Sequence, residues 1–63
     1  MKATAILHDG KNNYQLDYFG HNKETCVSNF GEDCIRRGIV WGHLFYEVNG
    51  ELLGSFIGNP IHG

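Results

Sequence analysis

Residues 39–57 read IVWGHLFYEVNGELLGSFI, and the way this stretch folds back on itself decides the fold. Asn49-Gly50 at its centre predicts a hairpin closed by a two-residue turn, both residues at positive φ. Such a turn pairs Val48 with Glu51, Tyr46 with Leu53, Leu44 with Ser55 and Gly42 with Ile57 on one face. The other face then holds Glu47 with Leu52, Phe45 with Gly54, His43 with Phe56 and Trp41 with Gly58. Both faces are apolar. Leu44, Tyr46, Val48, Leu53 and Ile57 read as a core side, and Trp41, Phe45, Leu52 and Phe56 as a second apolar face with His43 among them.

Upstream of this hairpin, residues 24–38 admit two readings. Asn29 resembles a helix N-cap with Glu32 at the capping-box position, and Gly38 a C-terminal cap after Arg36 and Arg37. That predicts a short helix of about two turns, roughly 12 Å at 1.5 Å per residue, preceded by a third strand over residues 24–28. The competing reading is one helix from Glu24 with Cys26, Phe30 and Cys34 along a single face. The charge order favours the shorter helix, with Glu32 and Asp33 at its start and the arginines at its end. A helix of two turns cannot cap both faces of the second hairpin, so something else must cover the aromatic one.

Residues 3–19 predict a hairpin around Asp9-Gly10-Lys11-Asn12. Leu7 with Tyr14, Ala5 with Leu16 and Ala3 with Tyr18 share an apolar face; Thr4 with Asp17, Ile6 with Gln15 and His8 with Asn13 share a wet one. A slip of one residue would bury Gln15 and Asp17, so this register is well specified. The expected class is α+β in one domain spanning residues 1–63: a small antiparallel meander, a short helix, then a long β-hairpin. Whether the hairpin joins the meander in one sheet is open at this level.

With 63 residues, 41% of them hydrophobic, the chain can build one small core, and it is too apolar for a disordered segment. A net charge of −2 excludes a strongly basic nucleic-acid binder and a polyanion mimic. No apolar run approaches the roughly 18 residues of a membrane span. The absence of a signal-peptide pattern makes a cytoplasmic protein the expectation.

The chemistry-bearing residues are scattered. His21, Cys26, Cys34 and His43 have the composition of a zinc set, but only His21 and Cys26 lie at the two-to-five-residue spacing of a ligand pair. No metal or cofactor is expected, and the two cysteines read as buried free thiols, although their separation would permit a disulfide. No catalytic motif occurs, the assumed pairing sets Ser55 on the face opposite His43, and a chain this short has little volume for a cleft. A non-enzymatic domain is expected.

Two binding readings follow. In the first, Trp41, His43, Phe45, Leu52 and Phe56 form a surface for a protein partner or a second copy of the chain, in the manner of an inhibitor or adaptor. A phage or mobile-element protein directed at a host or defence factor fits that type as a class. In the second, Arg36, Arg37 and Trp41 sequester an anionic nucleotide-like molecule, two guanidinium forks and one stacking surface being enough for a small ligand but not for extended nucleic acid.

Overall fold

The computed structural model describes residues 1–58. Five elements follow along the chain: β1 (Lys2–His8), β2 (Asn13–Phe19), α1 (Lys23–Arg37), β3 (Trp41–Tyr46) and β4 (Leu52–Ile57). All four strands join one antiparallel sheet in the order β2-β1-β3-β4, with α1 packed across one face. This is the α+β class expected, and the second hairpin does join the first, through β1 and β3.

The first hairpin has the register its alternation dictates: Ala3 opposes Tyr18, Ala5 opposes Leu16 and Leu7 opposes Tyr14. Its loop is held by Asp9, whose Oδ1 accepts from the backbone N–H groups of Asn12 at 2.8 Å and Lys11 at 2.9 Å. Those two bonds, Asn12's foremost, hold the Asp9 carboxyl below its ordinary range.

The helix corrects the two-turn expectation. There is no third strand over residues 24–28; α1 runs for 15 residues from Lys23. Its N-cap is Asn22, whose Oδ1 accepts from the Thr25 backbone N–H at 2.8 Å, whereas Asn29 is an exposed residue in the helix interior. The physical reason lies in the buried face: Cys26, Phe30 and Cys34 recur every four residues, and only a continuous helix lays all three on the sheet. Gly38 caps the C-terminus as expected, at φ 67°, with its N–H directed to the last turn.

The second hairpin also departs from expectation. Of Asn49 and Gly50, only Gly50 has positive φ, at 73°. The loop spans four residues, closed by the Tyr46 N–H to the Glu51 carbonyl at 2.7 Å and the Gly50 N–H to the Tyr46 carbonyl at 2.8 Å. Asn49 uses its side chain instead, accepting from the Glu51 N–H at 2.9 Å, a local bond that competes with the two-residue turn. A bulge then shifts the register between Leu44 and Phe45, so that Phe45 opposes Leu52 while Leu44 opposes Gly54.

Beyond the bulge every partner differs from the expected one: His43 faces Ser55, Gly42 faces Phe56 and Trp41 faces Ile57. A one-residue shift exchanges the faces of a strand. Phe56 therefore leaves the aromatic face assigned to it and packs against the core, while Ile57, expected in the core, is exposed. Ser55 comes to the same face as His43, correcting their expected separation.

The core lies between α1 and the sheet: Ala3, Ala5, Leu7, Tyr18, Cys26, Phe30, Cys34, Ile39 and Leu44, with Leu53, Phe56 and Val27 packed against it. Gly42 is required by close approach, because a Cβ there would lie 2.6 Å from the Leu7 side chain and 3.3 Å from the Phe30 ring. Cys26 and Cys34 are both buried free thiols. Eight residues of helix set them about 12 Å apart along its axis, too far for the disulfide their spacing had allowed. Burial pushes the Cys34 thiol up, away from the reactive thiolate.

Candidate functional site

With α1 on one side of the sheet, no element of the described residues covers the other side. Ala3, Ala5, Leu7, Gly42 and Leu44 take the helix side, so strand parity sends Thr4, Ile6 and His8 of β1 and Trp41, His43 and Phe45 of β3 to the open face. The register sets them in rows across the four strands. Asn13, His8, Trp41 and Ile57 form one; Gln15, Ile6, His43 and Ser55 the next; Asp17, Thr4, Phe45 and Leu52 the third.

Four rings make a continuous ladder across β1 and β3. His8 stacks on Trp41 at 5.4 Å between centroids with 16° between planes, Trp41 lies 5.6 Å from His43, and His43 lies 6.3 Å from Phe45. The outer strands hold the imidazoles: His8 Nδ1 lies 2.5 Å from Asn13 Oδ1, and His43 Nδ1 lies 3.0 Å from Ser55 Oγ. Each histidine is thus oriented by a cross-strand polar group rather than left to rotate. Around the ladder lie exposed apolar side chains, Ile6, Leu52, Phe19 at 67% and Ile57 at 80% exposure. At one end Lys2 Nζ lies 3.0 Å from Glu47 and 3.7 Å from Asp17, and the Glu47 bond chiefly raises the lysine's pKa.

Of the aromatic set read from the sequence, Trp41, His43, Phe45 and Leu52 share this face, and Phe56 does not. The sequence reading missed Ile6, His8, Phe19 and Ile57. Ile6 and His8 were legible as members of the wet side of the first hairpin; the missing information was that β1 lies beside β3.

Arg36 and Arg37 lie elsewhere. Both engage Asp33, Arg36 through its Nη2 and Arg37 through Nε at 3.9 Å, and the Tyr18 hydroxyl donates to the same carboxylate at 2.9 Å. They stand on the helix, on the opposite side of the sheet from Trp41, so the structure does not bring the three together. The zinc-like quartet is likewise dispersed. His21 precedes the helix, Cys26 and Cys34 are buried beneath it and His43 is on the open face; among the described residues no three metal-ligating side chains converge.

His43 and Ser55 have the contact of a base and a hydroxyl, but Trp41 and Phe45 flank the imidazole and no carboxylate bonds to it among the described residues. Nothing there holds His43 as a general base in the manner of a catalytic triad. An open groove of about 420 Å³, larger than expected for so short a chain, runs between α1 and the start of β4. Val27, Leu52 and Leu53 give it an apolar wall, and Lys23 Nζ meets Glu51 Oε1 across it at 3.0 Å.

No helix of the described residues is long and apolar enough to cross a membrane. Comparison of the chain with protein-family models, with curated proteins and with solved structures finds no match.

Proposed function

We propose that the chain is a non-enzymatic protein-binding domain of the inhibitor or adaptor type, which occupies a partner's surface with the open face of its sheet. The observation that carries this reading is the ring ladder His8, Trp41, His43 and Phe45, half-buried by its own neighbours and lying on the face that the single helix does not cover. Aromatic side chains with few rotatable bonds bury much area at low entropic cost, and they dominate the centres of protein interfaces. The charged groups lie at the margin, where Lys2, Asp17 and Glu47 suit a polar rim. Adding Ile6, Leu52, Phe19 and Ile57 gives an apolar surface of the kind that marks an interaction site.

The test is capture from source cells with the parent chain and with Phe45→Glu as bait. A protein recovered in fixed ratio by the parent and lost with the folded variant supports the reading. Equal recovery by both, with circular dichroism showing both folded, would move the interface off this face.

A further inference from the structure

Among the described residues the sheet ends on two unpaired edges, β2 and β4, and they are built differently. On β2 the edge carries Asp17, in contact with Lys2, so two such strands laid together bring carboxylates close. The sequence of β4, Leu52-Leu53-Gly54-Ser55-Phe56-Ile57, has neither a charge nor a proline. Natural edge strands are ordinarily blunted by one or the other, because an unblunted edge is a template for another strand.

The phase of the ladder shows which backbone groups of β4 are free. The Gly58 N–H bonds to the Val40 carbonyl at 2.8 Å, so Gly58, and by alternation Phe56 and Gly54, turn their backbone groups toward β3. Ser55 and Ile57 turn theirs outward, to the open edge.

We propose that two copies of this chain pair β4 with β4 in antiparallel fashion about a twofold axis at Ser55, joining two four-stranded sheets into one of eight. In that register Ser55 exchanges both its N–H and C=O bonds with Ser55 of the second copy. Phe56 then stands opposite Gly54 of the second copy in a non-hydrogen-bonded pair, the kind in which side chains approach most closely. Gly54 faces the helix side, where a Cβ would meet only Val27 at 3.6 Å, so it leaves width beside β4 for the incoming ring. An axis at Gly54 would instead oppose two glycines and carry Phe56 to Leu52, beyond the bulge. An axis at Phe56 would set Ser55 against the apolar Ile57. The Ser55 axis opposes no like charges, and by isologous symmetry it satisfies both copies at once.

This dimer does not rest on the open face being a binding surface. It sets the two open faces side by side on one side of the eight-stranded sheet, so each experiment can fail alone.

Sedimentation velocity on the whole chain tests it with three variants. The parent should sediment as a dimer of the 7.1 kDa chain. Ser55→Pro removes an outward N–H and no bond of the β3–β4 ladder, and should abolish the dimer while circular dichroism shows the fold kept. Ser55→Lys alone and Ser55→Glu alone each oppose like charges and should weaken the dimer several-fold. Mixed in equal amounts they should restore it, because lysine meets glutamate only if residue 55 opposes residue 55. Should Ser55→Pro unfold, the charge pair decides. A parent that stays monomeric, single variants that dimerise like the parent, or a mixture that recovers nothing would each overturn the proposal.

Discussion

The two hairpins of this sheet have strands of similar length, seven residues in the first and six in the second, yet one was legible residue by residue and the other was not. In β1–β2 one face is polar, so any slip would bury Gln15 or Asp17, and the alternation itself penalises a wrong register. In β3–β4 both faces are apolar, and a slip exchanges one apolar set for another. Turn chemistry was left to decide alone, and there Asn49 bonds to the Glu51 N–H instead of taking positive φ. Alternation specifies register only where one of the two faces is costly to bury.

The largest test of this contrast compares two residues that a two-residue turn would place together in the core. Leu44 is fully buried and Ile57 is 80% exposed. Leu44→Ala should cost about 2–5 kcal/mol, the range for removing a buried leucine side chain. Ile57→Ala should change stability by no more than about 0.5 kcal/mol. Both are read from chemical denaturation, and equal costs would mean that the bulge at Leu44/Phe45 is absent in solution.

A smaller effect sharpens the turn. Gly50 sits at φ 73° with nothing within 4 Å of an added Cβ, so the cost of Gly50→Val is backbone strain. It should be about 1–2 kcal/mol, since a β-branched residue resists the left-handed region. Asn49→Val should lose only the bond to Glu51, because Asn49 has no positive φ. Equal strain at both positions would restore the two-residue turn.

The smallest effect concerns the helix. Gly31 lies inside α1, and a Cβ there would meet nothing within 4 Å. Gly31→Ala should therefore stabilise the fold by about 0.5–1 kcal/mol, by lowering the entropy of the unfolded chain. An unchanged or lowered melting temperature would count against a helix that continues through residue 31.

The α+β class, the first hairpin and the Gly38 cap were legible because each rests on local chemistry with a strong penalty for the alternative. The full helix was legible in the spacing of Cys26, Phe30 and Cys34, but Asn29 and Glu32 offered an equally good local start. What decided between them was tertiary, the length of sheet that a single helix has to cover. Four members of the open face, Trp41, His43, Phe45 and Leu52, followed from parity near the turn. Phe56 did not, because it lies beyond the bulge, and no pattern in residues 52–57 announces the extra residue. His8 and Ile6 joined the site only through the β1–β3 pairing, a contact between segments more than 30 residues apart.

The second hairpin divides its aromatic residues: Phe56 packs against the core on the helix side, and Phe45 lies half-buried on the open face. Thermal unfolding of Phe45→Glu and Phe56→Glu, followed side by side by circular dichroism, tests this division most directly. Phe45→Glu should keep a cooperative transition close to the parent's, and Phe56→Glu should lose the folded state. Unfolding by Phe45→Glu together with tolerance of Phe56→Glu would contradict it.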